Sequence, residues 1–265
     1  MGLPPVTIEA ELGPSQIEMT FAPTAGLDVA DQAILARTTI RHIARRNGFQ
    51  ASFMSRPQID HESFPSGWHL HQSLVASNDS TRSSLFAPTD STMLMSDLGR
   101  QYVAGLLRHA AAACLLTTPT VTGYKRYRPR AITPDRVSWS REHRGAMLRV
   151  IGGQGDPATR VENRVGDPAA NPYLMVASQI LSGLDGIKNR LTPPPPTESP
   201  YEPEGGELLP RTLGEAIDHF DTSAMFRNTL GDTIVDYLVT LKRSEWNRFN
   251  TTVTDWEQRE YFDLF

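Results

Sequence analysis

The sequence predicts a mixed α+β protein. Strand-like alternation carries the carboxylates and histidines of the first part, helical spacing dominates the end, and no internal repeat divides the chain. A length of 265 residues is enough to bury a substantial core as one large domain or two small ones.

The opening reads as two short strands, 7–11 and 16–21, joined at the turn-forming Gly13-Pro14-Ser15. Each strand carries a carboxylate, Glu11 and Glu18. Asp28 reads as the N-cap of a helix in which Ala30, Ile34, Ile40, Ile43 and Ala44 keep helical spacing until Gly48 stops it. Phe49, Ala51 and Phe53 then alternate as a strand, and a second alternating run covers 68–74. Residues 77–91 are polar and loop-like, and a long amphipathic helix fills 96–116, before Pro119. Strands recur at 136–140, 146–150 and 159–164. Pro172 suits the first turn of a helix running to about Asn189. The prolines at 193–196 make a stiff connector. Beyond it, 213–220, 232–249 and 256–262 read as helices, and Tyr201 as an ordinary loop tyrosine.

Apolar content of 39% and charged content of 21% are those of a soluble globular protein. A net charge of −4 gives no reason to expect a nucleic-acid partner. The single cysteine, Cys114, excludes an internal disulfide and fits a reducing compartment. It reads as a small buried hydrophobe within the apolar run 110–116. The start, Met1-Gly2-Leu3-Pro4-Pro5, lacks the basic region and long apolar stretch of a signal peptide. The longest apolar region, 103–116, is interrupted by Arg108 and His109 and is too short for a bilayer. The default is therefore the cytoplasm, with no membrane partner.

In Trp68-His69-Leu70-His71-Gln72-Ser73, strand geometry puts His69, His71 and Ser73 on one face. Two imidazoles and a hydroxyl so placed suit a metal or phosphate oxygens, or are incidental on a half-exposed strand. In Arg160-Val161-Glu162-Asn163-Arg164, two guanidinium groups flank a carboxylate on one face, forming either an anion clamp or a solvated salt-bridge ladder. More arginines crowd the middle: Arg126, Arg128, Arg130, Arg136, Arg141, Arg144 and Arg149. Glu11, Glu18, Glu162 and His69 suit a hard divalent cation such as Mg²⁺ or Mn²⁺. A metal with converging arginines is what phosphoryl transfer needs, and no Walker-type Gly-rich loop is present.

These segments together resemble the glutamine synthetase family. Glu11-Leu12-Gly13-Pro14-Ser15-Gln16-Ile17-Glu18 looks like its paired-glutamate metal strands, and Ser66-Gly67-Trp68-His69-Leu70-His71-Gln72-Ser73-Leu74 like its Gly-x-His-x-His segment. Tyr124-Lys125-Arg126 resembles the start of its substrate-clamp loop. Arg144, Arg149, Arg160, Glu162 and Arg164 recur in the family's order, followed by Asp167-Pro168-Ala169-Ala170-Asn171-Pro172-Tyr173-Leu174 and Gly183-Leu184-Asp185-Gly186-Ile187-Lys188-Asn189. The likeness runs from about residue 5 to the C-terminus.

The resemblance implies a glutamine synthetase/guanido kinase-like catalytic domain over 1–265, a curved antiparallel sheet flanked by helices. It implies a ligase that couples ATP cleavage to joining an amine and the γ-carboxylate of glutamate through an acyl phosphate. Glu11 and Glu18 would hold one divalent metal and His69 and Glu162 a second, two per site in the intact parent. His71 and Ser73 would lie beside ATP; Arg144, Arg149 and Arg160 would neutralise its phosphates, with Arg144 and Arg160 catalytic. Arg126 and Arg164 would hold glutamate. The intact parent would assemble as a ring-type dodecamer.

Three departures qualify the resemblance. The family's N-terminal β-grasp domain and a strand with two further metal-binding glutamates have no counterpart before Glu11, so the chain reads as N-terminally truncated and inactive alone. Phe64 and Pro65 replace an Asn-Gly that usually meets the substrate's amino-acid end. Ile132 aligns with the flap glutamate of the ammonium site; it holds no charge but can cover an apolar substituent, unless Asp135 or Glu142 takes the acid's place. The reading that follows is a γ-glutamyl-amide synthetase using an organic amine. Its alternatives are a true glutamine synthetase using ammonia and a non-catalytic sensor. A metal-dependent hydrolase is disfavoured because its barrel would need strand–helix repeats.

Overall fold

A computed structural model of the chain describes residues 2–3, 5–58, 63–127 and 133–265. The opening strands form a hairpin of β1 (Pro5–Ala10) and β2 (Ile17–Phe21), which stands as a separate two-stranded ribbon. Helix α1 (Asp28–Arg46) follows; Leu27 caps it without a side-chain bond, and Asp28 is its first residue rather than its cap. Asp28 and Asp31 in the first turn and Arg45 and Arg46 in the last complement the helix dipole. The expected strand at 49–53 does not form. Phe49 is largely exposed, Phe53 lies under the Arg41 guanidinium, and among the described residues no strand pairs with them. Alternation alone does not make a strand without a neighbour to satisfy its backbone.

The main sheet has four short strands in the order β3 (Leu70–Gln72), β6 (Arg160–Asn163), β5 (Leu148–Ile151) and β4 (Trp139–Arg141). β3–β6 and β6–β5 are antiparallel, whereas β5–β4 is parallel, joined only by the link 142–147. One face is apolar and buried through Leu70, Val161, Leu148, Val150 and Trp139. The opposite face carries His71, Arg149, Arg160 and Glu162.

Behind the buried face lie α2 (Asp97–Arg108), α3 (Ala110–Thr117) and α5 (Pro172–Lys188). Ser96 caps α2 through Gly99 N, and Asn171 caps α5 through Tyr173 N and Leu174 N, with proline in the first turn as expected. α2 and α5 touch backbone to backbone at Gly105 and Gly186, where any β-carbon would come within 3 Å of the partner's main chain. The single helix expected over 96–116 is divided at His109, whose Nε2 lies 2.8 Å from Asp185 Oδ2 on α5. That tertiary contact lies at a junction where periodicity shows continuity.

A single-turn helix, α4 (Val121–Tyr124), precedes β4. The Pro-rich connector runs to α6 (Leu213–Asp221), α7 (Ala224–Leu230), α8 (Asp232–Asn250) and α9 (Asp255–Tyr261). α7 was not expected, though Ser223 caps it through Phe226 N and Gly231 ends it at φ +86°. Cys114 is fully buried in the core, and burial pushes its thiol up to about 12. Among the described residues no helix is long and apolar enough to cross a membrane.

Candidate active site

The pairing of four strands creates a row of polar side chains. His71 lies opposite Glu162, Glu162 opposite Arg149, and Arg149 opposite Ser140. Because side chains alternate, Arg160 and Arg164 share the face of Glu162, and His69 and Ser73 that of His71.

Glu162 is the centre. Only 2% exposed, it accepts from Arg164 Nη1 at 2.7 Å on Oε1 and from Arg149 Nη1 at 3.2 Å on Oε2. His69 Nδ1 lies 3.0 Å and His71 Nε2 3.9 Å from Oε1. Burial alone would raise its pKa. The hydrogen bond from His69 and the positive charge of Arg164, reinforced by the two imidazoles, outweigh burial and hold it at about 2. Gly67 makes room for the first imidazole: a β-carbon there would sit 2.8 Å from His69 Nε2.

The neighbours extend the cluster. Arg160 Nε donates to His71 Nδ1 at 3.2 Å, which makes that nitrogen an acceptor. Burial lowers the His71 pKa, Glu162 pulls it back up, and Arg160, His69 and Arg149 lower it again, so the ring is neutral at neutral pH. Arg149 Nη2 reaches Glu142 at 2.6 Å, while its buried Nε has no hydrogen-bond partner among the described residues. Arg164 Nε donates to the Arg144 carbonyl at 2.8 Å, leaving the Arg144 side chain exposed at the edge. Ser73 is exposed just beyond β3.

Two groups of expected site residues stand elsewhere. Glu11 and Glu18 are exposed on the β1–β2 ribbon, with Glu18 paired across it to Glu9. The ribbon's turn touches the loop leading to His69, Gln16 Nε2 lying 3.5 Å from the Pro65 carbonyl, but among the described residues no three His, Cys, Asp or Glu converge to hold an ion. Of the four expected ligands, His69 and Glu162 are in direct contact, and the ribbon that carries Glu11 and Glu18 shares no backbone pairing with their sheet. Arg126 also departs from expectation. It is 1% exposed and donates to the carbonyls of Gly123, Ser66, Gly166 and Val165, so it laces loops together instead of facing the open sheet.

Arg56, which no motif singled out, does the same for neighbouring loops, donating to Ser63 Oγ at 2.9 Å and to the Lys125 carbonyl. Glu142 is engaged by Arg149. Ile132, Arg128 and Arg130 lie outside the described residues.

Three kinds of comparison agree. The family model described as "Glutamine synthetase, catalytic domain" matches residues 1–261. A gamma-glutamylanilide synthase of an Acinetobacter species is 47% identical over 276 residues, covering 100% of this chain and 54% of that protein. A glutamine synthetase of Archaeoglobus fulgidus is 38% identical over 94% of this chain and 52% of its own length. The chain therefore spans about half the length of these curated relatives. A solved structure described as apo GmaS without ligand superposes with a TM-score of 0.86 at 28% identity, covering 99% of this chain and 60% of that one.

Proposed function

The chain belongs to the glutamine synthetase family, matched through the catalytic domain, and on that premise we propose that its protein ligates an amine to the γ-carboxylate of glutamate, using ATP. The observation that carries this reading is the Glu162 cluster: one buried carboxylate gripped by His69, Arg149 and Arg164, with Arg160 and Arg144 alongside.

The chemistry has two steps. The glutamate side-chain carboxylate attacks the terminal phosphorus of ATP and releases ADP; the amine nitrogen then attacks the acyl phosphate carbon and releases phosphate. Charge on the transferring group is met by guanidinium groups already in place. Arg144, Arg149 and Arg160 take that role. His71, neutral, and Ser73 border the nucleotide. Arg164 meets the glutamate; Arg126 shapes the loops around it.

A divalent cation fits the chain's own donors at one position. Mg²⁺ is commonly held by one or two carboxylates plus substrate phosphates and water, and Mn²⁺ accepts imidazole as well. His69 and Glu162, side by side, supply that protein share, while Glu11 and Glu18 would serve a second ion. When bound, the cation draws charge from the phosphoryl group. The domain assignment over 1–265, a ring-type homo-oligomer and a cytoplasmic location belong to the same reading.

The nucleophile is an organic amine, and an aromatic one fits best. The support is the 47% identity to a protein named gamma-glutamylanilide synthase, together with Ile132 in place of an ammonium-site acid. An isoleucine offers apolar contact, about 0.8 kcal/mol per buried methylene, and nothing for a cation. The test is the ratio of catalytic efficiencies for aniline and ammonia, in the protein and in Ile132→Glu. Preference for the arylamine, shifted toward ammonia by the substitution, is expected. A protein that already prefers ammonia is a plain glutamine synthetase, as the Archaeoglobus relative is named.

A further inference from the structure

The Pro-rich connector is a strap fixed on both flanks. On one, Trp139 Nε1 donates to the Pro194 carbonyl at 2.8 Å and Thr197 N to the Trp139 carbonyl at 2.9 Å. On the other, Val137 N donates to the Glu207 carbonyl and Arg136 Nη1 to the Gly206 carbonyl, both at 2.8 Å, and Leu209 N to the Asp135 carbonyl at 2.9 Å. The tip between them, residues 199–205, is folded by Glu202 N onto the Ser199 carbonyl and Gly205 N onto the Glu202 carbonyl.

That tip lays Tyr201 on the link 142–147, the segment that carries Arg144. The ring meets His143 edge-on, with centroids 5.9 Å apart and planes at 65°. It also covers buried Gly145, where a β-carbon would come within 2.5 Å of the ring. Gly145 N donates to His143 Nδ1 at 3.0 Å, so ring, imidazole and glycine form one packed unit. From the opposite side Arg164, itself bound to Glu162, holds the Arg144 carbonyl. The link is therefore pinned between the Glu162 cluster and the strap.

We propose that Tyr201 is a positioning residue: its ring, pressed on Gly145, holds the 142–147 link so that Arg144 stands at the border of the Glu162 cluster. The proposal deepens the preceding reading and rests on its assignment of Arg144 to nucleotide phosphate. The ring of Tyr201 touches His143 and Gly145 on the link, so it acts through the link. The contact is made by the ring, which predicts that phenylalanine suffices.

The experiment compares Tyr201→Ala, Tyr201→Phe and Gly145→Ala in the purified protein. It reads amide hydrogen exchange at residues 145–147 and the dissociation constant for MgATP. Tyr201→Ala is expected to speed exchange about tenfold, as local opening becomes easier. It should weaken MgATP about tenfold, because an Arg144 no longer held in place must be ordered on binding. Gly145→Ala, which drives a methyl into the ring from the other side, should move both readouts in the same direction, and Tyr201→Phe should leave both within about twofold. Unchanged exchange in Tyr201→Ala would overturn the proposal, as would Tyr201→Phe behaving like Tyr201→Ala. Faster exchange with unchanged MgATP affinity upholds the clamp and removes Arg144 from the phosphate site, so the two readings fail separately. Should one variant unfold, the other still decides through its exchange at 145–147.

Discussion

The β1–β2 ribbon and the charged face of the four-stranded sheet carry the same chemistry in opposite states. Glu11 and Glu18 on the ribbon are exposed and, among the described residues, joined to no cationic group, whereas Glu162 on the sheet is buried and held by two guanidinium groups and an imidazole. The difference shows what a charged side chain needs in order to be structural. Glu162 gained its partners because three strands in register aligned them. The ribbon has only two strands, paired to each other, and its opposing acid is another glutamate, Glu9.

The comparison breaks most visibly at its buried end. Glu162→Ala leaves Arg149 and Arg164 facing each other without their shared anion, and should cost about 3–5 kcal/mol in urea unfolding. A loss under 1 kcal/mol would mean that the arginines find other partners. The same carboxylate sets the acid limit. Its folded-state pKa of about 2 lies below the unfolded value, so its contribution is complete above roughly pH 5 and fades as pH falls toward 2. Stability measured between pH 5 and 2 should fall less steeply in Glu162→Gln than in the parent; parallel slopes would contradict the pairing.

Arg126→Ala comes next. It removes a charged donor from the carbonyls of Gly123, Ser66, Gly166 and Val165. Three of them keep a second donor, Arg126 N, Trp68 N and Thr118 Oγ1, and the loss of the charge-assisted bonds should cost about 2–4 kcal/mol. A substrate-binding role alone would instead raise KM for glutamate with stability intact. The smallest effect belongs to the ribbon. Glu11→Gln and Glu18→Gln should change stability by no more than about 0.5 kcal/mol while weakening Mn²⁺ binding measured by calorimetry. Unaltered Mn²⁺ affinity would remove both from the metal site.

The sequence revealed faces better than it revealed partners. Period-two alternation put His69 and His71 on one face and Arg160, Glu162 and Arg164 on one face, and the register of β3 on β6 joins the two sets. Pro172 made the start of α5 legible, whereas Asp28, read as the cap of α1, is its first residue. What stayed hidden depends on distant contacts. Arg126 looks like any other arginine until its four carbonyls are known. The junction at His109 coincides with a contact to Asp185 on another helix. A parallel pair joined by so short a link as 142–147 runs against the longer crossover such pairs ordinarily need, so β4 beside β5 could not be foreseen. Tyr201 gave no signal, since its importance lies in a glycine more than fifty positions earlier.

The chain distances within the Glu162 cluster bear on the order in which it assembles. Arg149 and Glu162 are 13 residues apart, whereas His71 and Arg160 are 89 apart. Closing the longer loop costs about 1.7 kcal/mol more in chain entropy, from the logarithmic dependence on length. On loop entropy alone the arginine half is the cheaper to close, and docking β3 adds the histidines at the greater cost.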